Sequence, residues 1–272
     1  MATYRDQTGR EVSLDKPPKR IISLVPSQTE LLYDLGLAEE VVGITVWCVH
    51  PTHWLNEKTV IGGTKDLQLK KIRELQPDLI IGNKEENQKE QILDLAEDIP
   101  VWLSDIHTVK DAIAMIKEVG KITDTTQKSS VICENIHHEL NRLNPDKNPL
   151  KTAYFIWKDP YMIAGRDTFI QSMLNQAGFT NLHLDLPGRY PQVKLTQLTQ
   201  NPPQVIFLSS EPYAFTAGDM HHIANALPPC QVKIIDGEML SWYGSRLVKG
   251  LKYLQGLKKD LNLIFSEGLA YN

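Results

Sequence analysis

The sequence predicts an α/β protein with two halves, each built on a central parallel sheet, joined by one long α-helix. Apolar strand patterns alternate with helical patterns before residue 124 and again after residue 146. This alternation is typical of parallel sheets with helices on both faces. Between the halves lies a helical pattern that has no strand of its own. The predicted domains are therefore residues 1–123, the connecting helix 124–146, and residues 147–272.

The connecting helix is predicted over residues 124–144. Its apolar residues recur at steps of four, four and three: Ile132, Ile136, Leu140 and Leu143. Asp124 is expected to cap the first turn and Pro145 to end the last one. At a rise of 1.5 Å per residue, such a helix is ~30 Å long, so it can join two small domains as a strut. This stretch alone fits an ordinary crossover helix of one sheet equally well, and only the flanking alternation favours the strut.

The first half has a short polar start and then four buried strand patterns, each followed by a helix pattern. Pro26 opens the first of these helices and Gly36 ends it. The predicted strands are residues 20–25, 41–46, 78–82 and 101–103. The predicted helices are residues 26–35, 72–76, 88–96 and 109–122.

The second half repeats the alternation after the connecting helix. Its first helix ends at Gly178, and its last helix is long and amphipathic. The predicted strands are residues 153–157, 205–209 and 232–235. The predicted helices are residues 168–177, 219–226 and 245–263.

Composition indicates an ordinary globular protein whose partners are small molecules or other proteins. Of the 272 residues, 42% are hydrophobic and 23% are charged, and the formal net charge is −4. Because the basic residues are scattered, the sequence does not favour a nucleic-acid or anionic-membrane partner. Three widely spaced cysteines without a CxxC pair argue against a disulfide framework and fit a reducing compartment. We expect a monomer.

The amino-terminal sequence MATYRDQTGR has no apolar core that could serve as a signal peptide. No run of eighteen apolar residues occurs, so insertion into a membrane is not expected. As written, the sequence predicts a cytoplasmic protein. A periplasmic protein trimmed of its leader would show the same amino terminus.

We expect ligand contacts from residues that follow the predicted strands, because ligands of open parallel sheets bind beyond the carboxyl ends of the strands. In the first half these candidates are Trp47, His50, Thr64, Lys65, Asn83, Glu85 and Glu86. In the second half they are Trp157, Tyr161, Arg166, Tyr190, Tyr213, Glu238, Trp242 and Tyr243. Four of the five tryptophans follow strand ends, which suits a flat, partly apolar ligand held between the two halves.

A metal site is a weaker hypothesis. Cys48 and His50, with His53, are possible ligands, but no fourth ligand is visible and the spacing matches no structural zinc pattern. The sequence has no Gly-x-Ser-x-Gly elbow and no His-Glu-x-x-His helix, so neither covalent nor metal-hydrolytic catalysis is favoured.

Other candidates have structural explanations that the sequence leaves open. The run Gly-Gly-Thr-Lys at residues 62–65 lacks the full spacing of a phosphate-binding loop, so a tight turn is predicted there. Glu85 and Glu86 fit a solvated helix start as well as a pocket role. Tyr213 and Phe215 fit loop anchors as well as ligand contacts.

Three stretches carry a resemblance to a known family: RIISLVPSQTELLYDLG, IGGTKDLQLKKIRELQPDLIIGN and WKDPYMIAGRDTFIQSMLNQAG. Over nearly its whole length the chain resembles the helical-backbone metal receptors. These are the substrate-binding proteins that deliver cobalamin, haem and ferric siderophores to ABC importers, and the cobalamin carriers are the most similar. The resemblance implies two Rossmann-like lobes joined by a rigid helix, with the ligand in the cleft between the lobes. It implies no intrinsic cofactor, and a metal chelate such as cobalamin as the bound ligand.

The resemblance also implies roles for single residues. Aromatic residues that sandwich the corrin would fall on Trp47, Trp157 and Tyr190, which are aromatic here too. Two further aromatic positions would fall on Thr64 and Asn83, a departure that weakens the expected stacking. The carboxylate that contacts the lower base of the ligand would fall near Glu238.

Docking on a permease is where the sequence departs most from the resemblance. Transport members present one surface glutamate per lobe to arginines of the permease, and those positions correspond to Lys70 and Thr196. Because both carboxylates are missing, we expect a relative that no longer docks on an importer.

The sequence thus supports two hypotheses of different classes. The first is a non-catalytic binding protein for a metal chelate. The second is an enzyme, or an enzyme subunit, that uses Cys48, His50 and Glu85 or Glu86 in the same cleft. The aromatic residues and the resemblance favour the first, whereas a polar set unusual for a corrin-stacking cavity supports the second: Thr64, Lys65, Asn83, Glu85, Glu86 and Arg166.

Overall fold

The computed structural model describes residues 1–143, 149–182 and 186–266. Its contacts divide the chain into two compact units. The first unit comprises Met1–Asn135 together with Trp242–Arg246, and the second comprises Ile136–Ser241 together with Leu247–Asn272. The division falls inside the helix that was predicted to connect the two halves. A five-residue segment near the carboxyl end also belongs to the first unit.

The first unit is built on a parallel five-stranded sheet with the order β5-β4-β3-β6-β7. Its strands are β3 (Ile21–Ser23), β4 (Val41–Ile44), β5 (Thr59–Val60), β6 (Leu79–Asn83) and β7 (Val101–Ser104). Its helices are α1 (Pro26–Asp34), α2 (Trp54–Glu57), α3 (Leu69–Glu74), α4 (Lys89–Leu95) and α5 (Val109–Ile122). The predicted parallel α/β architecture is confirmed for this unit.

The amino terminus forms an antiparallel hairpin of β1 (Ala2–Arg5) and β2 (Glu11–Leu14), where the sequence analysis placed only a polar start. Burial alternates along β2, with Val12 and Leu14 facing inward. The hairpin turn is fixed to β7, since the buried Asp6 carboxylate accepts hydrogen bonds from the backbone of Arg10 and of Leu103. The sequence analysis did not predict this hairpin, because the short alternation of β2 was overlooked.

The second unit contains a sheet with the order β10-β8-β11-β12, in which the neighbouring strands are parallel. A short strand, β9, pairs antiparallel with β8. The strands are β8 (Leu150–Trp157), β9 (Met162–Ile163), β10 (Phe179–Asn181), β11 (Val205–Ser209) and β12 (Gln231–Ile235). The helices are α7 (Phe169–Gln176), α8 (Leu195–Leu198), α9 (Ala217–Ala226), α10 (Glu238–Ser241) and α11 (Leu247–Ser266).

The long helix of the sequence analysis is α6 (Thr126–Arg142). Asp124 does not cap it. Asp124 has a φ of 56°, and its N–H and that of Thr125 bond back to Lys121 and Gly120. This pattern closes the carboxyl end of α5 as a Schellman motif, so the expected cap role was wrong. Asn144 and Pro145, the expected helix end, lie outside the described residues.

Each unit buries its own apolar core against its sheet. In the first unit Ile22, Leu24 and Ile80 pack with residues of α3 and α4. In the second unit Phe155, Ile206 and Leu208 pack with residues of α8 and α9. Because close packing in these cores holds the strands in place, the loops at the carboxyl ends of the strands begin from fixed positions. Within the described ranges, no helix has the length and hydrophobicity that a membrane crossing requires.

Close packing between α5 and α6 leads to a stability prediction. A Cβ atom at Gly120 would lie 2.5 Å from the Cβ of the buried Ser129. We predict that Gly120→Ala lowers the free energy of unfolding by about 1 to 2 kcal/mol, because overpacking outweighs the better helix propensity of alanine. Urea unfolding of the purified variant measures the change.

Gly256→Ala is the matched control. Gly256 also lies inside a helix, α11, but a Cβ there would meet nothing within 4 Å. This variant should gain up to about 1 kcal/mol. Equal effects at the two glycines would contradict the packing argument.

Candidate ligand-binding site

Trp47 is the most exposed tryptophan at a strand end of the first unit. It follows β4, and 61% of its surface is accessible. Its indole lies beside Gly63, where an added Cβ would be 3.3 Å from the Trp47 Nε1. Gly62 has a φ of 103°, and the N–H of Gly63 bonds to the carbonyl of Asp66. The predicted tight turn at residues 62–65 is therefore confirmed, and the Lys65 ammonium donates from it to the carbonyl of Glu85.

Asn83, at the end of β6, supports a turn from inside the first unit. The side chain is buried; its Oδ1 accepts hydrogen bonds from the backbone of Glu85 and Glu86, and its Nδ2 donates to Ser104. These bonds favour a supporting role for Asn83, and its predicted ligand contact stays a prediction. Helix α4 begins only at Lys89, so Glu85 and Glu86 lie in a turn and not at a helix start.

Trp242 and Tyr243 contact the loops that follow β4 and β6. The Tyr243 hydroxyl donates to Glu86 Oε1 at 2.7 Å, and the Trp242 ring meets the His50 ring edge-on at 5.4 Å between centroids. Burial, together with the charge of Glu86, raises the pKa of Tyr243 well above its ordinary value, so the hydroxyl keeps its proton and remains a donor. Both rings are buried, which suits support of the loops better than direct ligand contact.

Glu30 and Arg246 form a buried ion pair that sequence reasoning missed. Arg246 Nε and Nη2 lie 2.6 and 3.1 Å from the two carboxylate oxygens of Glu30. The guanidinium also stacks over the Trp242 ring at 4.9 Å. A glutamate followed directly by two buried leucines of α1 was the available signal. Its partner could not be named, because 216 residues separate the two.

The proposed metal ligands do not converge. The Cys48 thiol is buried, with its Sγ 3.0 Å from Thr29 Oγ1 and 3.1 Å from Thr45 Oγ1. Burial raises the pKa of this thiol, which opposes roles as a metal ligand or nucleophile. Among the described residues, no three His, Cys, Asp or Glu side chains are grouped to hold a metal ion. Within the ranges that the structure describes, Cys48 and His50 thus belong to no such group of three, and a metal site at these residues stays a hypothesis.

In the second unit, Trp157 ends β8 with 40% of its surface accessible. Its ring and the aromatic rings near it make edge-to-face contacts in pairs. Trp157 meets Tyr213 at 5.7 Å between centroids, Tyr213 meets Phe215 at 4.8 Å, and Tyr161 meets Phe155 at 5.6 Å. Tyr161 and Tyr213 are half-buried, so Tyr213 supports the Trp157 ring directly and Tyr161 packs on Phe155 of the same strand.

Lys158 and Asp219 form an ion pair next to Trp157. Lys158 Nζ lies 2.6 Å from Asp219 Oδ1, while Asp219 Oδ2 accepts bonds from the backbone and hydroxyl of Thr216 at the start of α9. The Lys158 ammonium and the Thr216 donors lower the pKa of Asp219 to about 2. The pair thereby fastens the loop after β8 to α9.

The remaining candidates of the second unit are spread along its loops. Arg166 is exposed and Tyr190 is half-buried. Their segments are adjacent, since the N–H of Gly165 bonds to the carbonyl of Arg189 at 2.7 Å. Glu238 is the first residue of α10 and is half-buried. That residues of both units face one shared cleft stays a prediction.

Comparison with known proteins identifies the family. The family model described as periplasmic binding protein matches residues 21–225. The chain is 24% identical over 265 residues to the uncharacterized ABC transporter substrate-binding lipoprotein YvrC of Bacillus subtilis, covering 93% of this chain and 83% of that protein. It is 25% identical over 201 residues to the vitamin B12-binding protein of Pectobacterium carotovorum, covering 72% of each.

Among solved structures, the periplasmic vitamin B12 binding protein BtuF of Vibrio cholerae shares the fold. The TM-score is 0.77 at 22% identity, over 90% of this chain and 98% of that one. Because the family model spans most of its length, the chain belongs to the periplasmic binding protein family. The predicted resemblance to the substrate-binding proteins of ABC importers is confirmed.

The Lys158–Asp219 pair predicts how stability depends on pH. The pKa of Asp219 is about 2 in the folded protein and about 3.9 in an unfolded chain. The pair therefore contributes its full stability above about pH 4, and the contribution is lost as the pH falls through about 2. We predict that the difference in Tm between the wild type and Asp219→Asn is largest near about pH 5 and shrinks towards about pH 2.

Thermal melts across that range measure the effect. Asp260→Asn, which alters an exposed carboxylate of α11, controls for the loss of a negative charge. A Tm difference that stays constant with pH would show that the ion pair does not carry the stability.

Proposed function

We propose that the chain is a substrate-binding protein of the ABC-importer type and that it binds a metal chelate of the corrinoid, haem or ferric siderophore class. The family match over residues 21–225 supports the binding role. Relatives named as vitamin B12-binding proteins support the ligand class. Binding, and not turnover of the ligand, is the proposed activity.

The main structural support for this class of ligand is the pair of exposed tryptophans at strand ends. Trp47 follows β4 of one sheet and Trp157 ends β8 of the other. Exposing a large aromatic ring to water is unfavourable. Both rings are nevertheless exposed, at the ends of strands that are packed in the core. Flat conjugated ligands recover that cost by stacking on such rings. Tyr190, half-buried in the second unit, is proposed as a third stacking residue.

The alternative of an enzyme has less support. It relied on Cys48, His50 and Glu85 or Glu86 as one catalytic group. Cys48 is buried between two threonine hydroxyls, and Glu86 accepts a bond from Tyr243. Neither arrangement activates a nucleophile or a base.

Titration with defined chelates tests the proposal. We predict that wild-type protein quenches its tryptophan fluorescence with at least one of cyanocobalamin, haemin or a ferric hydroxamate. Trp157→Ala should weaken that binding by about 1 to 3 kcal/mol, as expected when an aromatic contact is lost, while the fold survives. Isothermal calorimetry gives the affinities, and circular dichroism checks the fold.

Leu93→Ala is the matched control, because Leu93 is an exposed apolar residue of α4, with 51% of its surface accessible, away from the strand ends. Its affinity should equal that of the wild type. If Trp157→Ala also binds like the wild type, the residue is not part of the site.

A finer proposal concerns the importer. Lys70 lies on α3 with 92% of its side chain accessible, 3.9 Å from Glu74, and Thr196 is exposed on α8. A lysine at a position that should attract a permease arginine repels it, and threonine supplies no charge. We propose that the chain does not dock on a cobalamin permease.

The prediction is that wild-type protein shows no specific binding to a reconstituted cobalamin permease. The Lys70→Glu, Thr196→Glu double variant should gain binding, because it restores one carboxylate per unit. Surface plasmon resonance compares the two proteins, with Lys71→Glu on the same helix as a control for added negative charge. Wild-type binding as tight as that of an established carrier would refute the proposal.

A further inference from the structure

The segment Trp242–Arg246, which we call the anchor segment, lies between α10 and α11 in sequence but belongs to the first unit. All five of its residues are buried. They follow a helix of the second unit and precede another, so the chain enters the first unit a second time for these residues alone. A short segment inserted in this way calls for a physical explanation, because its own backbone forms no helix or strand.

The anchor segment is fixed to α1 at two points. Arg246 makes two hydrogen bonds to the buried carboxylate of Glu30, an arrangement in which each charge neutralises the other away from water. Gly244 has a φ of 101°, and a Cβ there would lie 2.9 Å from the carbonyl oxygen of Ser27. Glycine is required at this place because any side chain would meet the α1 backbone.

Two side chains of the anchor segment, Trp242 and Tyr243, contact different loops at the carboxyl edge of the sheet. Trp242, held by the guanidinium of Arg246, meets the ring of His50 in the loop after β4. Tyr243 donates from its hydroxyl to Glu86 in the turn after β6. These loops also carry Trp47 and Glu85, which lie on the exposed surface.

We infer that the anchor segment is a positioning element, which sets the loops after β4 and β6 in the arrangement that binds ligand. The effect on affinity rests on the proposed function; the effect on the loops does not. Neither Trp242 nor Tyr243 needs to touch the ligand in this arrangement. Both act through the residues that they hold, His50 and Glu86.

The Tyr243 hydroxyl is the part of the segment that can be removed most cleanly. Loss of Arg246 would leave the Glu30 carboxylate buried without its counter-charge, and such a variant risks unfolding. Tyr243→Phe keeps the ring and its packing, and it deletes the hydroxyl that donates to Glu86 and also hydrogen-bonds with Ser104. The turn at residues 83–87 reports the consequence directly, because the N–H groups of Glu85, Glu86 and Asn87 all bond to Asn83.

Amide hydrogen exchange of the ligand-free protein is the first measurement. In Tyr243→Phe we expect the amides of residues 85–87 to exchange about tenfold faster, since a hydrogen bond to a charged acceptor is lost. Amides of α5 should exchange at the wild-type rate. Tyr4→Phe, which deletes a hydroxyl in the amino-terminal hairpin, is the matched control and should leave residues 85–87 unchanged.

The effect of Tyr243→Phe is also measured in a variant that already carries Glu86→Ala. This comparison separates an effect transmitted through Glu86 from a general loss of stability. If the hydroxyl acts through Glu86, adding Tyr243→Phe to Glu86→Ala should accelerate exchange little further. A purely structural role of the hydroxyl predicts the same additional acceleration in both backgrounds. Additive effects would therefore overturn the inference, as would wild-type exchange of residues 85–87 in Tyr243→Phe.

Chelate titration is the second measurement. With the chelate that the wild type binds, Tyr243→Phe should lose about tenfold in affinity, and Tyr4→Phe should lose none. A loosened turn with unchanged affinity would overturn the link to the ligand. A wild type that binds none of the chelates would overturn the proposed function, and hydrogen exchange then decides the inference alone.

Discussion

Parallel strand pairing is the constraint on which the arrangement of this protein depends. In a parallel sheet every strand ends at the same edge, so residues far apart in sequence come together there without contacts of their own. In the first unit the loops after β4 and β6 lie at this edge on either side of β3, and in the second unit the loops after β8 and β11 follow neighbouring strands. The sheets thus supply two rigid edges, and the side chains at each edge determine what binds.

The two edges are braced by different chemistry. In the second unit, aromatic rings in edge-to-face contact hold Trp157, and the Lys158–Asp219 pair fixes the neighbouring loop. In the first unit, the support comes from polar contacts: Asn83 shapes one turn, and Tyr243 bonds to it. Aromatic contacts therefore dominate next to Trp157 in the second unit, whereas hydrogen bonds hold the turn after β6 in the first unit.

Local pattern was sufficient to predict most of the fold but only part of the candidate site. Helix α5 was predicted at its observed bounds, because its apolar pattern is regular, and the structure adds that Thr108 caps it. The exposed Trp47 and Trp157 were found from their place after strands. The supporting role of Tyr243 was missed, since its partner lies 157 residues away. Asp124 was misassigned because aspartate suits a left-handed helix end as well as a helix start.

The Glu30–Arg246 pair bears on the order in which the chain can fold. During synthesis Glu30 leaves the ribosome long before Arg246, which lies 216 residues later in the sequence. Until then α1 carries a carboxylate that cannot be buried without a large desolvation cost. Closing so long a loop is slow. The amino-terminal unit therefore completes its packing only after Arg246 has been synthesised, although all of its sheet strands lie before residue 105.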